Sequence, residues 1–215
     1  MSEDNATQVS AIDARILASL FEKEATTPDA YPLTLNAIVL ACNQKTAREP
    51  VMELEQGEVA NALRRLETRG FVKSQHTARA ERYSHRLEAV LSLTKPQPAL
   101  LALLMLRAPQ TAHELLARTD RLARFEGIED VQHALERLSK RMPALVVALP
   151  RQSGERGERF AHLLSGEPDP GVMSSASSGA GASSSPMSER VAELEQRVAE
   201  LEARLSALES GRGAG

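Results

Sequence analysis

Apolar residues recur at Val59, Leu63 and Leu66, spacings of four and three that align them on one stripe of a helix. The same spacing returns at Val131, Leu135 and Leu138. Around these triplets Glu58, Ala62, Arg65 and Arg69 match Asp130, Ala134, Arg137 and Arg141 at a constant offset of 72 positions, which marks a weak internal repeat. A strand-like piece follows each helix: Phe71-Val72 after a glycine stop at Gly70, and Leu145 through Leu149 after Met142-Pro143. The turn of the first hairpin is expected between His76 and Glu81, before Arg82-Tyr83-Ser84. That of the second is expected at Gly154-Glu155-Arg156-Gly157, before Arg159-Phe160-Ala161-His162. Two further helical segments precede each unit, at 10–23 and 35–42 and again at 99–106 and 112–118. Helix, helix, helix, hairpin is the winged-helix order, so the pattern predicts a mainly α fold with small β-hairpin wings. Two tandem winged-helix domains are expected at 1–95 and 96–167.

Beyond the repeat the pattern changes twice. Residues 168–186 are almost wholly Pro, Ser, Gly and Ala, too poor in apolar surface to offset the entropy of ordering a backbone, and predict a flexible linker. From 187 to 210, Val191, Leu194, Val198, Leu201, Leu205 and Leu208 alternate spacings of three and four, a heptad seam with Val mostly at a and Leu at d. Arg190, Arg197 and Arg204 fall at g, with Glu195, Glu202 and Glu209 at e, so opposite charges meet in a parallel pair and like charges in an antiparallel one. The tail therefore predicts a weak parallel homodimer through a C-terminal coiled coil. Three heptads are short, and a lone amphipathic helix docked on its own body is the other reading.

Composition narrows the function classes. The absence of Trp, with two Tyr and four Phe in 215 residues, favours helices packed through aliphatic side chains over a strand-rich sandwich. Twenty-six basic residues against 29 acidic ones remove any general attraction to nucleic acid or anionic membrane, leaving only a local patch to be sought. A single cysteine, Cys42, allows neither an intramolecular disulfide nor a cysteine-rich zinc site, and suits a reducing cytoplasmic compartment. No apolar run reaches membrane-spanning length, and the acidic start at Ser2-Glu3-Asp4-Asn5 is unlike a signal peptide.

Candidate chemistry lies on and beside the third helices. Asn61, Arg64, Arg65 and Thr68 occupy the face opposite the Val59-Leu63-Leu66 stripe, and Asn and Arg are the residue types that read adenine and guanine edges. From Asn43 to Arg86 there are nine basic and six acidic residues, a modest positive bias helped by Arg79, Arg82 and Arg86 around the wing. Glu53, Glu55 and Glu58 at the start of the same helix repel phosphate. In the second repeat, Glu129, Asp130, Glu136, Arg137 and Lys140 form a mixed solvated face, so its wing arginines Arg151, Arg156 and Arg159 are the better phosphate candidates.

The stretch 26–51 carries a second candidate. Thr27-Pro28 and Tyr31-Pro32 end the first helix, Thr34 caps the second, and Asn43 is suited to a left-handed stop at its end. Lys45 and Arg48 then project toward an anion or a partner carboxylate, with the amides of Asn36, Asn43 and Gln44 either joining them or satisfying loop backbone. No enzyme signature appears. Glu22 and Glu24 diverge on one helix, Cys42 sits in an apolar run, and the five histidines show no metal-ligand pairing, so neither metal nor organic cofactor is implied.

The segment 22–36, Ala41-Cys42-Asn43-Gln44-Lys45-Thr46-Ala47-Arg48-Glu49-Pro50-Val51-Met52, the run Leu106-Arg107-Ala108-Pro109-Gln110-Thr111, His162 to Glu167 and the terminal heptads together resemble the YceH-like family of uncharacterised bacterial proteins. The resemblance covers nearly the whole chain, implies the tandem winged-helix fold, and carries over no catalytic residue. Ala47 departs from it, since a polar Asn is expected there. Two functions remain open: a noncatalytic DNA-binding or DNA-associated regulator, and a protein-interaction adaptor that uses winged helices for docking.

Overall fold

The computed structural model describes residues 7–76, 80–107, 109–150 and 157–168, all within the unit Met1–Pro170. Helix α1 (Ala11–Thr26) starts at a capping box in which the Ser10 hydroxyl and the Asp13 carboxylate each accept the other's backbone N–H. It runs three residues past the expected Lys23, because Thr26 and Thr27 hydroxyls donate to the carbonyls of Glu22 and Lys23 before Pro28 stops the chain. A 3-10 turn (Pro28–Ala30) and strand β1 (Leu33–Thr34) lead to α2 (Leu35–Cys42), which Thr34 caps as expected by accepting from the Ala37 N–H at 3.3 Å. Helix α3 (Gln56–Thr68), strands β2 (Val72–His76) and β3 (Glu81–His85) and a short α4 (Leu87–Leu91) complete the first half.

The second half repeats the order with α5 (Gln97–Leu106), β4 (Gln110–Thr111), α6 (Ala112–Arg118), α7 (Ile128–Ser139), β5 (Val146–Leu149) and β6 (Arg159–His162). The described residues thus form a mixed α fold with two small antiparallel sheets, compatible with the expected wings.

Each sheet has three strands where the pattern predicts two. β1 and β4 add to the second strand of each hairpin, in the orders β1-β3-β2 and β4-β6-β5. Two residues are too few to show a period-two pattern, so these strands appear only when the hairpin supplies a partner. The pairings Thr34↔Arg82 and Thr111↔Arg159 are displaced by the same 77 positions, whereas the third helices are displaced by 72. The difference is taken up mainly by the connection between second and third helices, longer in the first half.

The stripe residues Val59, Leu63 and Leu66 and their counterparts Val131, Leu135 and Leu138 are all buried, as the periodicity requires. The two halves do not keep separate cores. Every residue of α5 is buried, which fits a helix apolar all round, and α5 packs against α1 more extensively than any other pair of elements. One continuous apolar cluster runs from Ile16, Leu17 and Leu20 through Leu100, Leu101 and Leu104 into Leu135 and Leu138. Backbone bonds also cross between halves, from the Glu49 N–H to the Leu106 carbonyl (2.8 Å) and from the Val9 N–H to the Leu164 carbonyl (2.6 Å). Arg141 closes the junction by donating to the carbonyls of Leu91 and Ser92 at the end of α4.

Candidate nucleic-acid interface

Helix α3 turns its polar face outward. Asn61, Arg64 and Thr68 are exposed, Arg64 donates to the Asn61 side-chain oxygen, and the Thr68 hydroxyl donates to the Arg64 carbonyl at 2.9 Å. Both contacts are local to the helix. Arg65 is different: its side chain is 54% exposed, yet Nη2 lies 3.0 Å from the Asp13 carboxylate, which is only 5% exposed. Arg65 therefore ties α3 to the capping box of α1, and Asp13 neutralises its charge.

Two expected phosphate contacts anchor the hairpins instead. Arg82 donates from Nη1 to the Pro32 carbonyl (2.7 Å), and Arg159 repeats the gesture to the Pro109 carbonyl (2.8 Å) with Glu114 at 3.6 Å. Each arginine sits opposite the N-cap threonine of its second helix, so its side chain reaches back along the sheet to the residue before β1 or β4. Burial would raise the Glu114 carboxyl, but its hydrogen bonds from Thr111 and the charges of Arg159 and Arg118 outweigh that and hold it below its ordinary value. His85 fixes the root of the first hairpin. Its Nε2 meets Glu24 at 2.6 Å, its Nδ1 accepts from the Leu87 N–H at 3.3 Å, and its own N–H donates to the Tyr31 hydroxyl.

The connection 43–55 overturns the expectation for Arg48. Its side chain is fully buried, with Nε donating to the Ala41 carbonyl and the two terminal nitrogens clamping Glu22 at 3.1 and 2.5 Å. It cannot hold a phosphate at the surface, because the loop folds back over α1 and Glu22 provides the anion internally. Arg15, buried on α1, supports the same loop through the carbonyls of Cys42 (3.2 Å) and Pro50 (2.7 Å). Asn43 keeps an ordinary φ of −91° and uses its amide to pair with both the N–H and the carbonyl of Leu54. The left-handed residue is Ala47, at φ 59°. Asn tolerates that region better than Ala, which is a physical reason for the polar residue that the family resemblance leads one to expect there.

Lys45 and Arg86 remain exposed as predicted. Arg79, Arg151 and Arg156 lie outside the described residues, as do linker residues 169–186 and Val191, Leu194, Val198, Leu201, Leu205 and Leu208. Sequence reasoning missed the internal roles of buried Asp13 and Arg15 and of partly exposed Glu22, although an arginine within the apolar run Ala14 to Leu17 was a visible signal. These roles also change the charge balance: Asp13 and Glu22, outside the interval 43–86, neutralise two of the nine cations counted within it. Cys42 is buried, and burial pushes its thiol up to about 11, which suits a core residue. Among the described residues no group of His, Cys, Asp and Glu is arranged to hold a metal ion, and no helix is long and apolar enough to cross a membrane.

Comparison with known proteins places these features in a group. The family described as "Protein of unknown function, DUF480" matches residues 9–155. A UPF0502 protein of Xanthomonas campestris pv. campestris (strain B100) is 56% identical over 188 residues, covering 85% of this chain and 84% of the relative. One from Stenotrophomonas maltophilia (strain K279a) is 53% identical over 190 residues, covering 86% and 87%. One from Xanthomonas euvesicatoria pv. vesicatoria (strain 85-10) is 61% identical over 156 residues, covering 73% and 69%.

Proposed function

The chain belongs to the DUF480 (UPF0502) family of uncharacterised bacterial proteins, and on that premise we propose that it is a noncatalytic DNA-binding or DNA-associated regulator built on two winged helices. The helix-helix-helix-hairpin order in both halves supports the winged-helix reading. The observation that carries the DNA reading is the outer face of α3, where Asn61, Arg64 and Thr68 stand exposed and take no part in holding the fold together. These residues face the groove, and Lys45 and Arg86 contact phosphates beside them. The heptads at 187–210 pair two copies in parallel, which raises affinity through effective concentration.

Fluorescence anisotropy of a random 30-base-pair duplex with the full-length chain tests this reading. With Lys45, Arg64 and Arg86 each neutralising one phosphate, the log affinity should fall with log salt at a slope of about −3 per protomer. Arg64→Glu should weaken binding about tenfold or more and leave the melting temperature unchanged. Arg65 is unsuitable for that test, since a glutamate there would face Asp13 and unsettle the start of α1.

One observation favours an adaptor as the second reading. Arg48, Arg65, Arg82 and Arg159 all serve internal contacts, while α2 and the following loop expose Leu40 (64%) and Val51 (50%). Absence of duplex binding even at low salt would reject the DNA reading and leave the adaptor.

A further inference from the structure

A cleft of about 410 Å³ opens where the C-terminal ends of α1, α5 and α6 converge. Lys23, Arg107, Arg118 and Arg121 line it against two carboxylates, Glu22 and Asp120. Glu22 is held by Arg48 behind it and lies 3.6 Å from Lys23, which leaves Arg107, Arg118 and Arg121 facing Asp120, so the cleft is cationic. Helix ends account for part of this arrangement: Lys23 and Arg118 occupy last turns, where a cation complements the helix dipole. Arg118 is further engaged by Gln110 and, at 3.9 Å, by Glu114.

Arg107 is the C-cap residue of α5, so the helix dipole accounts for a cation there but not for its unspent side-chain donors. Its side chain is half-buried, yet among the described residues it donates to no carbonyl and forms no ion pair. Burial, then Arg118, pull its pKa below the ordinary value, with Glu49 acting the other way. Arg121, exposed at the rim, is likewise without a hydrogen bond or ion pair among the described residues. A planar guanidinium with unspent donors, crowded by like charge and partly desolvated, is suited to a bidentate phosphate contact. The larger cleft near Phe21 lacks this bias, since Glu24 and Glu88 balance Lys95 and Arg124 there.

We propose that this cleft binds a small phosphorylated anion, with Arg107 gripping the phosphate from within and Arg121 closing on it from the rim. The volume suits a compact phosphate ester, within the range of ordinary ligand pockets. The walls come from both halves of the chain, so occupancy couples them without involving α3. The proposal does not depend on the DNA reading.

Thermal melting of the full-length protein with inorganic pyrophosphate, against sodium chloride at matched ionic strength, tests it. A saturable rise is expected, about 3–5 °C at ten times Kd for a chain of this size. Arg107→Gln and Arg121→Gln should each abolish that rise; Arg121 is exposed, so its substitution leaves the ligand-free melting temperature unchanged. No saturable shift, or the same shift in both variants, would overturn the assignment. Duplex titration separates the two sources of phosphate. If either substitution weakens binding of the 30-base-pair duplex as much as it weakens pyrophosphate, the cations serve a nucleic-acid backbone and the small-ligand site is rejected. Unchanged duplex affinity supports it.

Discussion

Arg48 shows how one side chain can be assigned the wrong task when only its neighbours in sequence are considered. A cation between Ala47 and Glu49 reads as a surface charge, but its guanidinium is fully buried against Glu22 and satisfied by two backbone carbonyls. Arg48→Ala leaves the Glu22 carboxylate with Lys23 alone, at 3.6 Å, and should cost about 2–4 kcal/mol in urea denaturation, whereas exposed Lys45→Ala should cost less than about 0.5 kcal/mol. His162 gives a pH signature. Burial pushes its imidazole down to about 4, and Nδ1 has no hydrogen-bond partner. A histidine held neutral by the fold binds its proton more readily when unfolded. Stability is therefore complete above the unfolded value near 6.5 and declines as pH falls from there to about 4, by about 1–3 kcal/mol. Urea midpoints measured across that window should follow this slope, and His162→Phe should flatten it.

At the scale of elements, the two second helices make a controlled comparison. Thr34 and Thr111 occupy the same N-cap position in the two halves, and their hydroxyls accept N–H bonds of 3.3 and 3.2 Å. Only Thr111 completes a capping box, with Glu114 accepting from the Thr111 N–H at 2.8 Å. Thr111→Ala should then cost about 1.5 kcal/mol and Thr34→Ala about 0.5–1 kcal/mol, read from the difference in denaturation midpoints. The Thr34 cap was read from residue type, whereas that of Thr111 was not, although the Thr111-x-x-Glu114 spacing of a capping box is present in the sequence. The short strands before these caps could not be read, because a two-residue strand has no periodicity of its own and exists only through the pairings of Thr34 with Arg82 and Thr111 with Arg159.

For the molecule as a whole, the shared core sets how the halves behave. Helices α1 and α5 form the most extensive contact between any two elements, and neither half retains that partner alone. Heat or urea should therefore unfold residues 7–168 in one transition, seen alike by far-UV circular dichroism and by hydrogen exchange in both halves. Leu101→Ala, at a site with no exposure, should cost about 2–5 kcal/mol and lower the midpoint without splitting the transition. Two resolved transitions would show that the halves are energetically separate.

The helix stripes, the repeat, the hairpin positions and the exposed face of α3 could be read from residue order, because helical and strand periodicity is a local property of spacing. Arg64, Asn61 and Thr68 were found that way, since a residue opposite a buried stripe must face outward unless something covers it. Contacts between segments distant in sequence decided the rest. Asp13 claims part of Arg65 from 52 positions away, Glu22 claims Arg48 from 26, and Pro32 claims Arg82 from 50. The fusion of two halves through α1 and α5 and the convergence of helix ends around Arg107 are of the same kind. Pairings of this sort depend on where the chain returns in space, and no local spacing records them.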